Sequence, residues 1–404
     1  MKKSTILLVL VAALGYFVDA YDLILFVVLR HSSLTELGVV GNSNTSVGLW
    51  LFNVQMIGLL LGGIFFGVLG DKKGRLSVLF GSIVLYSSAT IINGFVQDIY
   101  IYGILRFLAG IGLAGELGAG VTIVAETMPK EKRGYGTMIM ASVGAFGAVV
   151  AALVGDAFYW RTAYFIGGGM GLLLLFLRIG TLESKMYKHA EEKQNIKRGD
   201  FLSLFTNKDR FKRYMACMFI GFPIFFIVSI LMQLAPEVAK ALGIEGKITA
   251  GQAVMYVYIG LTCGDLISGY VSQRLQNRKK TILIFQVICL FMCLIYLNLW
   301  GASNTAIFIM CILMGAASGY WIVLITMSAE QFGTNLRATV ATTIPNFARG
   351  GAVPISIAHQ YLTQWLNGDL IKSAIIIGIV CFGAAFIANA SLKESFAKDL
   401  DYVE

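Results

Sequence analysis

Six ionisable side chains stand inside long apolar runs of this sequence: Asp19, Asp22, Arg106, Glu116, Asp265 and Arg349. In hydrocarbon each is costly unless it is paired or hydrated. Desolvation favours the protonated form of a carboxyl, and a neighbouring arginine favours the ionised form. A carboxyl that moves between these environments loads a proton on one side and releases it on the other. Arginine stays charged throughout the physiological range and offers a fork of donors to a carboxylate or phosphate. Asp22, Asp19 and Glu116 are therefore the expected proton carriers. Arg106 and Arg349 are the expected fixed positive charges for an anion. The competing reading for Asp22–Arg106, Glu116 and Asp19 is a static ion pair that orients helices. For Arg349 it is an arginine bonded to backbone carbonyls. Asp265 is expected to pair with Arg274 or a neighbouring helix.

Membrane-spanning helices must carry these residues. The chain is 57% hydrophobic and 14% charged, with a mean hydropathy of +0.75. A soluble protein has about 25% charged residues, so lipid must solvate much of this one. Glycine is abundant, at 45 residues, and lets such helices approach closely. The net charge of +9 is concentrated in particular loops, which argues against a nucleic-acid partner. The six cysteines fall inside apolar segments and read as small buried hydrophobes, not as a disulfide framework or metal site. Without a metal cluster, a nucleophile triad or a phosphate loop, no enzyme is expected. No cofactor is expected beyond the proton as coupling ion. Lys2 and Lys3 precede an apolar run that continues to about Leu29 without a small-residue cleavage site, so a first span is expected there.

A spanning helix needs about 20 apolar residues. Twelve segments qualify: 5–30, 46–70, 78–96, 99–127, 134–158, 162–180, 213–240, 250–272, 281–300, 304–330, 338–365 and 370–392. In the alternating loops, 25 lysines and arginines fall on one side and 5 on the other, and Arg106 and Arg349 lie within spans. The positive-inside rule then puts both termini and the central loop 181–212 in the cytoplasm. An all-α, multi-pass inner (plasma) membrane protein is expected. At about 1.5 Å per residue, Asp22 lies roughly 12 Å below the outer end of span 1, and Arg106 reaches nearly the same level in span 4. The two are expected to share a polar pocket. Asp19 shares the helix face of Asp22, and Glu116 sits deeper than Arg106 on its face. Arg349 lies near the middle of span 11, where Gly350 and Gly351 permit a bend or close contact.

The chain also repeats itself. Ala125-Glu126, followed by Arg133, returns as Ala329-Glu330, followed by Arg337, at an offset of 204 residues. Two six-helix halves are expected, 1–180 and 213–404, with a substrate site between them near the midplane.

Two motifs carry a family resemblance. Gly67-x-x-x-Asp71-x-x-Gly74-Arg75 follows span 2, and Arg106-x-x-x-Gly110-x-Gly112 lies in span 4. Both resemble signatures of the major facilitator superfamily. Asp19-Ala-Tyr-Asp22, Gly115-Glu116 and Asn346-Phe-Ala-Arg349-Gly350-Gly351 are similar to the metabolite:proton, sialate:proton and aromatic-acid:proton symporter branches. The span 5 proline of drug/proton antiporters is missing from Gly144-Ala-Phe-Gly147. The resemblance implies a central cavity lined by spans 1, 4, 7 and 10, and coupling roles for Arg106 and the span 1 acids. It also implies a cytoplasmic gate at Gly67, Asp71, Gly74, Arg75, Glu126, Arg133, Glu330 and Arg337, where ion pairs between the halves and helix-end contacts lock the outward-facing state. Topology determinants and solvated pairs are the competing reading of those charges.

Tyr320, Trp321, Gln233, Asn53, Gln55, Tyr21 and Asn346 are expected to complete the pocket, with packing as the competing role for each. Phe222-Pro223 is expected to kink span 7, and His31, His189 and His359 to lie in water. The expected function is proton-coupled uptake of a small organic anion by a monomer whose partners are its small-molecule substrate, protons and membrane lipid. A zwitterionic osmolyte or amino-acid-like solute is the alternative cargo, and export the alternative direction.

Overall fold

The computed structural model describes residues 3–73, 75–128, 133–182, 201–333 and 336–396. The first half forms α1 (Lys3–Glu36), α2 (Asn42–Lys73), α3 (Arg75–Asn93), α4 (Ile99–Thr127), α5 (Arg133–Ala157) and α6 (Trp160–Leu182). After the short α7 (Ser203–Thr206), the seventh expected span is interrupted. It consists of α8 (Lys208–Ile220), α9 (Phe222–Phe226), a π-helical stretch (Ile227–Met232) and α10 (Ala235–Ala241). Next come α11 (Ala250–Leu275) and α12 (Arg278–Tyr296). The pairs α13 (Asn304–Ser318) with α14 (Trp321–Glu330) and α15 (Arg337–Gly350) with α16 (Ala352–Trp365) follow, and α17 (Leu370–Ser391) is last. The described residues contain no strand.

Polar residues set the helix starts. Asp98 accepts from the backbone amides of Tyr100 and Ile101 and caps α4. Thr249 and Gln252 form a reciprocal capping box at α11, so orphan amides at the helix end find partners. The interruptions also have local causes. Pro223 lies at the start of α9, where it withholds a donor from the preceding turn. At Gly319, between α13 and α14, a Cβ would lie 2.0 Å from the carbonyl carbon of Gly264. Only glycine fits that approach of α13 to α11.

Among the described residues, ten helical segments are long and apolar enough to cross a membrane. Two expected spans fall short of that standard. The third contributes only the shorter apolar helix Val78–Asn93. The eleventh is split between α15 and α16, and α15 carries Arg337, Asn346 and Arg349. Exposed apolar side chains such as Phe176, Val380 and Ile387 cover the outside, the surface that lipid must wet.

Helices α1–α6 pack on one another, with α1 against α5 and α4, and α3 against α4 and α6. Helices α8–α17 do likewise, with α11 against α13, and α17 against α8 and α12. The two groups meet where α2 and α4 pack on α15 and where α5 packs on α11.

Candidate functional site

A cavity of about 30 Å³ lies between the groups, room for roughly two waters. Tyr16, Ala20 and Leu23 of α1 form one wall. Phe225, Tyr258, Leu261, Trp321 and Arg349 are among the residues facing them from the second group. The lining is apolar and aromatic surface with one cation, Arg349.

At the cavity wall, Arg349 Nη2 donates to Asp19 Oδ2 at 3.2 Å, and both side chains are buried. This pair ties the first group to the second. It is a single contact: Asp19 Oδ1 and Arg349 Nη1 have no hydrogen-bond partner among the described residues. Buried charges joined through one atom pair leave much of their desolvation uncompensated, so the contact is open to exchange.

A second pair lies wholly within the first group. Arg106 Nη2 sits 3.5 Å from Asp22 Oδ1, and the Thr90 hydroxyl donates to the same oxygen at 2.6 Å. The guanidinium stands 5.1 Å from the Tyr164 ring centre, and the hydroxyls of Tyr164 and Tyr102 share a hydrogen bond. The structure thus brings Asp22 and Arg106 together, as their matching depths predict. Asp19 does not join them but turns to the second group.

Glu116 has a partner that the sequence reading did not name. Arg178 Nη1 and Nη2 donate to Glu116 Oε1 and Oε2 at 3.0 and 2.9 Å, and the Ser82 hydroxyl donates to Oε1 at 3.1 Å. Arg178, counted among the basic residues of the cytoplasmic side, is buried inside α6. A span end beside a basic loop gives no sequence signal of an inward-turned arginine. Gly15 does leave the space it needs: a Cβ there would lie 2.0 Å from Arg178 Nη2. Asp265 also departs from expectation. It is fully buried in α11, ten residues before that helix ends, whereas Arg274 is bonded to the Tyr270 hydroxyl.

Of the polar and aromatic residues expected in the pocket, Trp321 lines it and the others pack elsewhere. Tyr21 donates to Ala163 O and Tyr320 to Ile220 O, each inside its own group. Asn346 donates to Ala114 O at 2.8 Å, and Asn53 accepts from Ser356 at 2.9 Å; both bonds join the groups. Gln233 and Gln55 are buried away from the cavity lining. His359 is buried near Leu370 O instead of lying in water, and His189 lies outside the described residues. Tyr16 and Tyr258 line the cavity and were not singled out. The spacing of Tyr16, three residues before Asp19, was the available signal.

The two ends of the interface hold different described contacts. Near α5 and α14 these include neutral ones. The Thr137 and Thr326 hydroxyls lie 3.2 Å apart. Gly118 abuts Thr342, and Gly67 faces Thr339 and Thr343. Glu330 does not reach across. It pairs with Arg278 of its own group at 3.2 Å and accepts from Ser395. Arg337 begins α15 and is buried. Gly74 and the side chains of Asp71, Arg75, Glu126 and Arg133 lie outside the described residues. At the far end the closure is ionic: Glu237 of α10 accepts from Arg30 of α1 at 3.2 Å and from Thr45 of α2 at 2.9 Å.

A profile described as the Major Facilitator Superfamily matches residues 7–354. The chain belongs to the major facilitator superfamily. It is 24% identical over 382 residues to the sialic acid transporter NanX of Escherichia coli (strain K12), covering 93% of this chain and 91% of that protein. It is 25% identical over 355 residues to the niacin transporter NiaP of Acinetobacter baylyi, covering 78% and 79%. The fold is similar to that of the proton:xylose symporter XylE, with a TM-score of 0.74, 17% identity and 98% of both chains covered. This superfamily member is a multi-pass membrane transporter and not an enzyme.

Proposed function

We propose that the chain takes up a small organic carboxylate together with protons, by alternating access, across the inner membrane. Helix α3 and the pair α15–α16 complete twelve crossings, the lysine- and arginine-rich loops face the cytoplasm, and residues 1–180 and 213–404 move as two bodies. The observation that carries this reading is the single-contact Asp19–Arg349 pair across the cavity. While Asp19 is ionised, it occupies Arg349. A proton on Asp19 removes that competitor, and Arg349 turns its fork to the substrate carboxylate. Proton and anion are then bound together, and the cavity holds no excess charge when it reorients. Asp22, paired to Arg106, is the second carrier in the first group. Trp321, Tyr16 and Tyr258 offer apolar faces for the rest of the substrate. NanX and NiaP are named for carboxylate cargoes, which supports the substrate class.

The test uses purified protein in liposomes, with N-acetylneuraminate, nicotinate and benzoate as probes. An inward proton gradient drives accumulation of at least one carboxylate, and collapsing the gradient abolishes it. Asp19→Asn keeps exchange of that probe but loses uphill accumulation. Accumulation that ignores the gradient would defeat the reading.

A further inference from the structure

Asp265 is the one buried acid of the second group that stands without a charged partner among the described residues. Its relative exposure is 0%, and neither carboxyl oxygen meets hydrogen-bond geometry with any described group. An isolated carboxylate in such a place is strongly disfavoured. A merely structural requirement would be met at lower cost by asparagine or leucine, so the acid calls for a chemical account.

Its surroundings give one. Span 10 breaks at Gly319-Tyr320, and α14 starts afresh at Trp321. The break lies directly against Asp265: a Cβ on Gly319 would fall 2.4 Å from the Asp265 backbone nitrogen. Ser268 donates to Gly319 O at 2.6 Å and holds the two helices together there. The first amides of α14 have no intrahelical acceptor, and the amide of Ile322 faces the Asp265 carboxyl. The partial positive charge at the start of this ten-residue helix acts on the carboxyl, so a shift of α14 changes the electrostatics at Asp265.

Helix α14 is also tied to the cavity. Trp321, its first residue, lines the chamber, as does Leu261, one turn before Asp265 on the same face of α11. Among the described residues, the titratable side chains within electrostatic reach of Asp265 are Tyr16 of α1 and Tyr258 of its own helix. Helices α5, α12, α13 and α14 set no arginine or lysine beside it among the described residues.

We propose that Asp265 is a second-group proton-binding site, seated at the break of span 10 and coupled to the cavity through Trp321. It rests on the symport reading for its role in transport, but not for the binding of the proton. Occupancy of the chamber presses on Trp321, moves the start of α14 relative to Asp265 and alters its hold on the proton.

Infrared difference spectroscopy of the purified chain across a pH series tests this without substrate or gradient. The wild type is expected to show a protonated-carboxyl band that titrates. Asp265→Asn loses that band, and Asp265→Glu keeps a shifted one. If the asparagine variant does not fold, the shift in the glutamate variant makes the assignment. Adding nicotinate or N-acetylneuraminate, whichever the protein transports, displaces the titration midpoint in the wild type, and Trp321→Ala removes the displacement. A wild type whose protonated-carboxyl bands do not titrate overturns the proposal, as does a titrating band unchanged in both Asp265 variants. A titrating band in a protein that no proton gradient drives would sink the symport reading and leave this site standing. Gradient-driven uptake with no titrating band at Asp265 would do the reverse.

Discussion

The Glu116–Arg178 and Asp19–Arg349 pairs are both buried, yet they are built differently. The first is forked, with two bonds near 3 Å, a serine as third donor, and both partners in one helical group. The second is a single 3.2 Å contact between groups at the edge of a cavity. A pair whose partners never separate can be bonded as fully as geometry allows. A pair that must part in every cycle cannot, because each extra bond adds to the barrier. The lesson is that bonding completeness, more than burial, separates a fixed charge pair from a working one.

The sharpest way to break this contrast is to remove one acid from each pair. Glu116→Gln leaves Arg178 charged in a dry interior, since arginine does not shed its proton. A loss of about 3–5 kcal/mol is expected, read as a large fall in thermal midpoint in detergent. Adding Arg178→Met to that variant recovers most of the loss. Asp19→Asn leaves Arg349 at the wall of a cavity and is expected to cost only about 1–3 kcal/mol. Equal losses at the two sites would erase the distinction.

The sequence made the Asp22–Arg106 pair legible but neither Glu116–Arg178 nor Asp19–Arg349. Hydropathy located the spans because lipid demands long apolar runs, and depth counting along spans 1 and 4 was enough to bring Asp22 to Arg106. The Asp19–Arg349 contact joins residues 330 positions apart and depends on how two groups pack, which no local pattern encodes. The break in span 10 was equally silent. It occurs at a glycine without a proline, and its cause is the backbone of α11. Arg178 was not singled out because topology accounts for basic residues at span ends whether or not they turn inward.

Smaller effects are expected at the two closures. Gly118→Ala puts a methyl carbon 2.4 Å from the Thr342 Cα, forcing α4 from α15. Overpacking of this kind costs about 1–3 kcal/mol and should open the end near Thr137 and Thr326. Spin-label distances between α5 and α14 would lengthen in a larger fraction of molecules. Arg30→Gln removes the latch to Glu237, which is partly exposed, so a shift of at most about 1 kcal/mol is expected. Labels on α1 and α10 would report modestly more opening at the far end, with the Thr137 end unchanged.

The central claim is that a proton on Asp19 frees Arg349 for a carboxylate. The most direct measurement is the affinity of the purified protein for its transported carboxylate, taken across pH in the wild type and in Asp19→Asn. Ionised Asp19 competes for Arg349, so wild-type affinity should strengthen as pH falls. The asparagine variant mimics the protonated acid and should bind tightly with most of that pH dependence gone. The same rise in both proteins, or loss of binding in the variant, would contradict the account.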